Sequence, residues 1–173
     1  WYLWPVPVAA FVLYPFTKRF TWACHLVLGL TIGLAPVGGW LAVTGEFALA
    51  SVLLGLGVAA WIAGFDVVYA LLDLDFDRAA GVNSIPVRFG PGASLWITRA
   101  LHVAALALLA WGGAAAGAGV VYQAGVAACA LVLAYENAIV RADDPARINR
   151  AFGAANMVMG IAYFAFVVAE VAR

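Results

Sequence analysis

"FALASVLLGLGVAAWIAGFDVVYALLDLDFD", residues 47–77, joins a long apolar run to a cluster of carboxylates. Residues 47–65 contain no charged side chain, and four aspartates then follow within residues 66–77. A helix needs about 20 predominantly apolar residues to cross a bilayer, and the first part of this stretch has that length. The stretch therefore predicts a transmembrane helix that leads into an acidic segment.

The rest of the chain repeats the apolar pattern. Further runs cover residues 21–43, 93–112, 118–140 and 151–169, and residues 1–16 resemble the end of another span. Hydrophobic residues make up 66% of the 173 residues, charged residues make up 10%, and the mean hydropathy is +1.01. The runs lack the two-residue alternation of a membrane β-barrel. We expect one all-α, polytopic transmembrane bundle over residues 1–173, with no second domain.

The basic residues indicate which face of the bundle is cytoplasmic. The connections at residues 44–46 and 111–120 carry no Lys or Arg. Eight of the nine basic residues fall on the opposite face if six spans alternate. By the positive-inside rule that face is cytoplasmic, and the aspartates lie on it. We expect an integral protein of a bacterial or archaeal cytoplasmic membrane, with no basic patch for nucleic acid because the net charge is zero.

Three of the aspartates share one face if the helix continues as far as Asp77. At about 100° per residue, Asp66, Asp73 and Asp77 lie within about 40° of one another, close to Tyr69, and Asp75 points away. Such carboxylates repel unless a cation compensates them. Asp73 and Asp77 suit a hard divalent cation such as Mg²⁺. Two other interpretations stay open, namely solvated loop charges and the ion site of a cation-coupled transporter.

The cysteines and histidines are interpreted as packing residues. Cys24 and Cys129 stand alone in separate apolar runs, which favours small core side chains over a disulfide or a metal pair. His25 and His102 have no partner at metal-ligand spacing. Close helix contact is expected at the glycines of the first two full spans, Gly29, Gly33, Gly55 and Gly57.

Three segments carry a resemblance to a known family. "DVVYALLDLDFDRAAGVNSIPVRFG", residues 66–90, resembles the second aspartate-rich motif of the UbiA superfamily of intramembrane prenyltransferases, D-x-x-Y-A-x-x-D-x-x-x-D-x-x-x-G-x-x-S followed by F-G. "YPFTKRFTWACHLVLGLTIGLAP", residues 14–36, is similar to the family's Y-P-x-x-K-R segment. "RAFGAANMVMG", residues 150–160, resembles the start of the family's last helix through Phe152 and Asn156.

The resemblance implies a nine-helix membrane fold, of which about six helices are present here. The family's first motif, N-D-x-x-D-x-x-x-D, has no counterpart within residues 1–173. The resemblance thus identifies residues 1–173 as the C-terminal portion of a UbiA-type prenyltransferase and predicts that this portion alone is inactive. A non-catalytic membrane subunit stays open as an alternative.

The resemblance also implies a reaction and a metal. The family transfers a polyprenyl chain from polyprenyl diphosphate to a small aromatic acceptor, in quinone biosynthesis, at the membrane. Mg²⁺ is then expected on Asp73 and Asp77, where it would neutralise the diphosphate. Lys18 and Arg19 are expected to bind diphosphate oxygens, and for both residues simple anchoring at the membrane face is the alternative.

The remaining site residues are assigned to the acceptor and its loop. Asp66 is expected to orient the acceptor or to stabilise its developing charge. Tyr69 either faces the allylic cation or packs at the interface. Arg88 either meets an acceptor carboxylate or anchors the surface, and Asn83 and Ser84 belong to the loop that caps the site.

The acceptor is expected to be 4-hydroxybenzoate or a dihydroxynaphthoate. Many 4-hydroxybenzoate enzymes of the family have Lys where this chain has Asn83. The form "FDRxxGxxSIPxRFG" looks more like the branch associated with menaquinone synthesis by the futalosine route. The resemblance therefore favours the dihydroxynaphthoate slightly.

Overall fold

The computed structural model describes residues 2–173 of the chain. Trp1 lies outside the described residues, and so does the side chain of Phe152, which contributed to the family resemblance. The described residues form helices and no strands, so the predicted all-α class is confirmed. The helices are α1 Pro5–Thr17, α2 Cys24–Thr44, α3 Leu49–Tyr69, α4 Leu74–Ala79, α5 Ile85–Ala115, α6 Val120–Ile139, α7 Pro145–Arg150 and α8 Asn156–Val171, with a π-helical turn at Ala151–Ala155 between the last two.

Five helical stretches are long and apolar enough to cross a membrane. They are Cys24–Thr44, Leu49–Tyr69, Ile85–Ala115, Val120–Ile139 and Pro145–Val171. Each contains or overlaps one of the five predicted full spans, and large apolar side chains cover the outside of the bundle. The chain is therefore an integral membrane protein. The predicted partial span corresponds to α1, which has 13 residues and is shorter than a membrane crossing.

Helix α3 lies at the centre of the bundle between α2 and α5, while α6 packs mainly against α8. Glycines bring α3 close to its neighbours. A Cβ added at Gly33 of α2 would overlap the carbonyl oxygen of Gly55 on α3, and one added at Gly57 would lie 2.9 Å from Leu109 Cδ2 on α5. The predicted close contact at these glycines is confirmed.

The prediction of a single helix through Asp66 and Asp77 is wrong. Helix α3 ends at Tyr69, and the amides of Leu71, Leu72 and Asp73 bond to carbonyls three residues earlier, at 3.0–3.3 Å. This turn buries Leu71 in an apolar cluster with Val68, on α3, and with residues from the end of α6 and from α7. Periodicity within residues 66–77 could not reveal the turn, because the partners of Leu71 lie about 70 residues further along the chain.

Helix α5 is bent near its start. Gly90 has φ 81° and ψ 167°, which only glycine adopts without strain, and Pro91 follows it. The residues before Gly90 form a separate short helix capped by Ser84, whose Oγ accepts a hydrogen bond from the Val87 amide at 3.3 Å. The bend lets residues 85–89 follow the site loop while the rest of α5 crosses the bundle.

A carboxylate near the end of α8 binds the start of α6. The Glu170 carboxylate oxygens accept hydrogen bonds from the amides of Gly119 and Tyr122, at 2.8 Å and 3.0 Å. These amides belong to the first turn of α6, whose donors have no partner within the helix. The start of α6 and the end of α8 therefore lie at the same end of the bundle.

Candidate functional site

A polar pocket of about 200 Å³ opens at the end of the bundle where α1 ends and α2 begins. Three separate parts of the chain form its wall: the stretch from the end of α1 to the start of α2, the end of α3, and the segment from Asp73 to Ser84. The lining residues are Tyr14, Pro15, Lys18, Cys24, His25, Leu28, Asp66, Ala70, Asp73, Asp77, Val82, Asn83 and Ser84. Six residues of the sequence-predicted site are among them.

The turn after α3 places the three aspartates around this pocket. Asp66 lies in the last turn of α3, Asp73 precedes α4, and Asp77 lies within α4. An aspartate at the start of a helix usually accepts a hydrogen bond from an amide of the first turn, but the Asp73 side chain makes no such bond. Its carboxylate lines the pocket instead. The aspartates therefore converge through a turn and a second short helix, and not along one helical face.

The carboxylates of Asp73 and Asp77 and the ammonium group of Lys18 act on one another electrostatically in the pocket. Burial, followed by the nearby Asp73 carboxylate, raises the pKa of Asp77 above its ordinary value, while Lys18 and the Ser84 hydroxyl act in the opposite sense. Asp75 takes no part, because its side chain is fully exposed and its nearest cation is Arg78 at 3.9 Å. The pocket thus carries negative charge that a bound cation would neutralise.

The loop before α5 is tied to the connection between α1 and α2. The Asn83 amide donates to the Lys18 carbonyl oxygen at 2.8 Å, and the Asn83 side-chain amide reaches the same oxygen at 3.4 Å. The Cys24 thiol donates to the Asn83 carbonyl oxygen at 3.5 Å. Gly81, with φ 66°, makes the turn that directs the chain from α4 into this loop. These bonds hold Lys18 and the aspartate segment at one pocket.

His25 belongs to this pocket, and its interpretation as only a packed helix residue is wrong. The ring is buried, but its Nδ1 lies 2.6 Å from Oδ2 of Asp66. Cys24, interpreted as a core residue, is half-buried and also lines the pocket. One signal in the sequence was available: His25 lies seven residues after Lys18, near the start of an apolar run, and so close to the membrane face that carries Lys18 and the aspartates.

His102 and Cys129 fit the packing interpretation. His102 is buried, with its Nδ1 2.8 Å from the side-chain nitrogen of Asn137. Cys129 is fully buried in an apolar cluster with Leu133 and Met159. Neither residue lines the polar pocket.

Three sequence-predicted site residues lie outside the pocket lining. The Arg19 guanidinium lies over the Phe16 ring, 5.5 Å from its centroid. Tyr69 is 37% exposed at the end of α3, and Arg88 is exposed in the first part of α5. Their roles stay predictions, since side chains of this length reach several ångströms from where they lie here.

The fold and the pocket together define a class: an all-helical integral membrane protein with aspartates and a lysine converging at one end of the bundle. A family model described as the UbiA prenyltransferase family matches residues 1–165. The chain belongs to this family. Curated relatives include a 4-hydroxybenzoate octaprenyltransferase of Nitrosococcus oceani, 35% identical over 80% of this chain and 48% of that protein. Another is the mitochondrial 4-hydroxybenzoate polyprenyltransferase of Arabidopsis thaliana, 35% identical over 90% of this chain and 38% of that protein.

A solved structure shows the same fold. The apo structure of a UbiA homologue from Aeropyrum pernix K1 superposes with a TM-score of 0.85 and 33% identity, covering 98% of this chain and 63% of that one. The chain spans about half the length, or less, of the two curated relatives that it matches.

Proposed function

We propose that the protein takes part in transfer of a polyprenyl chain from polyprenyl diphosphate to the ring of a small aromatic acceptor. The observation that carries the proposal is that Lys18, Asp66, Asp73 and Asp77 line the same pocket. Family membership supports a transferase over the cation-coupled transporter that the sequence alone left open. The names of the curated relatives supply the substrate class.

The pocket suits Mg²⁺ as the cofactor. No group of three or more His, Cys, Asp and Glu side chains is placed to hold a metal within residues 2–173 as described. Mg²⁺ does not need such a group, because it is commonly held by one or two carboxylates together with substrate phosphates and water. Asp73 and Asp77 would supply the carboxylates. Burial and then the nearby Asp73 carboxylate raise the pKa of Asp77, and a bound cation would offset both effects. When bound, Mg²⁺ neutralises negative charge on the leaving diphosphate.

The other residues of the pocket would bind and orient the diphosphate. Lys18 offers the ammonium group nearest to the two carboxylates, so it would contact diphosphate oxygens on the side away from them. Asn83 and Ser84 would keep the loop closed over that group through their bonds to Lys18 and to the start of α5. Arg19 would add a second cationic contact only after leaving the Phe16 ring.

The acceptor would lie on the Asp66 side of the pocket. One oxygen of Asp66 is engaged by His25, and the side chain is 27% exposed, so the carboxylate can still accept a hydrogen bond from an acceptor hydroxyl. Tyr69 would face the allylic cation, and Arg88 would meet the acceptor carboxylate. We propose an aromatic hydroxy acid as the acceptor, with 4-hydroxybenzoate and a dihydroxynaphthoate as the two compounds to test.

The site would open to the cytoplasm. The aspartate segment and most of the basic residues share one face of the predicted topology, and the positive-inside rule makes that face cytoplasmic. Water-soluble acceptor would then enter from the cytoplasm, while the prenyl chain would lie among the apolar helices. We propose a bacterial or archaeal cytoplasmic membrane as the location of the protein.

The experiment that tests the proposal uses three Asp→Asn variants of the full-length protein in membranes. Asp73→Asn and Asp77→Asn should each lower prenyl transfer to 4-hydroxybenzoate or a dihydroxynaphthoate by about 10²–10³-fold, the usual cost of removing one charge-stabilising contact. Asp75→Asn is the matched control, because its exposed side chain is outside the pocket, and it should stay within about twofold of wild type. Equal rates in all three variants would rule out this pocket as the reaction site.

A further inference from the structure

His25 is a buried polar residue of the pocket, and the reaction proposed above gives it no role of its own. It is 3% exposed, it lies in the first turn of α2, and its Nδ1 is 2.6 Å from Asp66 Oδ2. A deprotonated carboxylate has no hydrogen to donate. The short contact therefore requires the His25 Nδ1–H to donate to Asp66, whether or not the ring carries a second proton.

Packing alone does not explain an imidazole at this position. The other ring nitrogen, Nε2, is buried without a hydrogen-bond partner among the residues that the structure describes, as is Nε2 of His102, and what sets His25 apart is the pocket carboxylate at its Nδ1. Burying an unpaired polar atom costs free energy, and an apolar side chain of similar size would fill the space without that cost. The start of a helix also disfavours a positively charged side chain. The 2.6 Å contact with the Asp66 carboxylate is the interaction of the ring that reaches across to α3 and offsets these costs.

The helices around the pair keep its geometry fixed. Four residues after His25, Gly29 contacts α3 so closely that an added Cβ would overlap the Ala59 carbonyl oxygen. This contact sets the distance between the helix that carries His25 and the helix that carries Asp66. The pair thus joins α2 to α3 at the floor of the pocket, and it constrains the Asp66 side chain to one orientation.

We propose that His25 is a positioning residue for the acceptor: it holds Asp66 so that the other carboxylate oxygen accepts a hydrogen bond from the acceptor hydroxyl. This inference rests on the proposed function. It assigns the acceptor class, because a fixed oxygen with no hydrogen to offer selects aromatic rings that bear a hydroxyl group over those that bear only an acceptor atom. The diphosphate end of the pocket lies around Lys18 and Asp77, and His25 has a smaller effect on the pKa of Asp77 than Asp73 or Lys18 has.

The role of His25 predicts a split between the two substrates. In the full-length protein in membranes, with geranyl diphosphate and 4-hydroxybenzoate or a dihydroxynaphthoate as probes, His25→Leu should lower kcat/KM for the acceptor. We expect a loss of about 10- to 100-fold, by analogy with the loss of the hydrogen-bonded partner that orients a metal ligand. The KM for geranyl diphosphate should change by less than about twofold. His25→Asn, which keeps a donor close to the Nδ1 position, should recover most of the loss.

His102→Leu is the matched control, because it replaces a second buried histidine that contacts the opposite side of α3 at Gly64. Its free energy of unfolding should fall at least as far as that of His25→Leu, but its acceptor selectivity should not change. The pair itself should give a strongly deshielded imidazole N–H proton by NMR, which His25→Asn and Asp66→Asn should remove and His102→Leu should keep.

The results distinguish failure of the His25 role from failure of the proposed function. Suppose that wild type transfers the prenyl group and that His25→Leu has the same kcat/KM for the acceptor and the same KM for geranyl diphosphate. That result would overturn this inference and leave the proposed function in place. If kcat/KM falls equally for both substrates in His25→Leu and does not recover in His25→Asn, the role of His25 is merely structural. That result would also overturn the inference. A folded wild-type protein that transfers no prenyl group would overturn the proposed function, and the inference would fall with it.

Discussion

Replacing Gly29 by alanine should destabilise the contact between α2 and α3 that sets the shape of the pocket. A Cβ at this position would overlap the carbonyl oxygen of Ala59 and would lie 3.1 Å from both the Ala59 carbonyl carbon and the Ala63 Cβ. A helix carbonyl cannot rotate away as a flexible side chain can. The two helices must therefore separate by a fraction of an ångström or more.

The magnitude follows from the overlap. Inserting a methyl group into a well-packed interface typically costs about 1–3 kcal/mol, and the helix propensity that alanine gains over glycine returns at most about 1 kcal/mol. We expect a net loss of about 1–2 kcal/mol in the free energy of unfolding. Separation of the helices also lengthens the 2.6 Å contact between His25 and Asp66. The kcat/KM for the acceptor should then fall about tenfold, which corresponds to about 1.4 kcal/mol of transition-state stabilisation.

Gly39→Ala is the control for this prediction. It lies on the same helix, and an added Cβ would have no neighbour within 4 Å. This variant should be as stable as wild type or slightly more stable. Denaturant titration in detergent gives the unfolding free energies, and initial rates in membranes give kcat/KM. If Gly29→Ala and Gly39→Ala unfold with the same free energy, the close α2–α3 contact is not what holds the pocket.

Three further predictions follow from the site and its topology. Lys18→Ala should weaken binding of polyprenyl diphosphate much more than Arg19→Ala, because only Lys18 lines the pocket; equal effects would contradict that distinction. In intact cells a membrane-impermeant thiol reagent should label a cysteine at Ala115 but not one at Ala80, and the reverse pattern would overturn the proposed orientation. Glu170→Gln should lower the unfolding temperature by weakening the bonds to the first turn of α6, and an unchanged temperature would show that these bonds are dispensable.

The sequence predicted the helices and most of the site for different reasons. Span lengths follow from the bilayer, so apolar runs located all five long helical stretches within a few residues, apart from the polar starts of α5 and of the stretch Pro145–Val171. The family motif identified the aspartates, yet the helical-wheel argument for their convergence failed at the turn after Tyr69. That turn depends on Leu71 packing against residues far along the chain, which no local period contains.

The histidine in the site was missed for a related reason. A single His in an apolar span has no local partner, and its interpretation depends on what the neighbouring helix brings to it. Here α3 brings Asp66 to within 2.6 Å of His25, through a helix contact that Gly29 permits. Sequence patterns predicted that the glycine would allow close approach, but they did not predict which side chains would meet beside it.

Binding of a polyprenyl diphosphate analogue whose allylic bond to the diphosphate cannot break tests the central claim most directly. We would measure its affinity for the full-length protein by calorimetry, with Mg²⁺ and with EDTA, in wild type, Asp77→Asn and Asp75→Asn. The account predicts that wild type and Asp75→Asn bind the analogue at least about tenfold more tightly with Mg²⁺, whereas Asp77→Asn loses that dependence. An equal dependence on Mg²⁺ in Asp77→Asn and wild type would contradict the claim that this pocket binds the metal and the diphosphate.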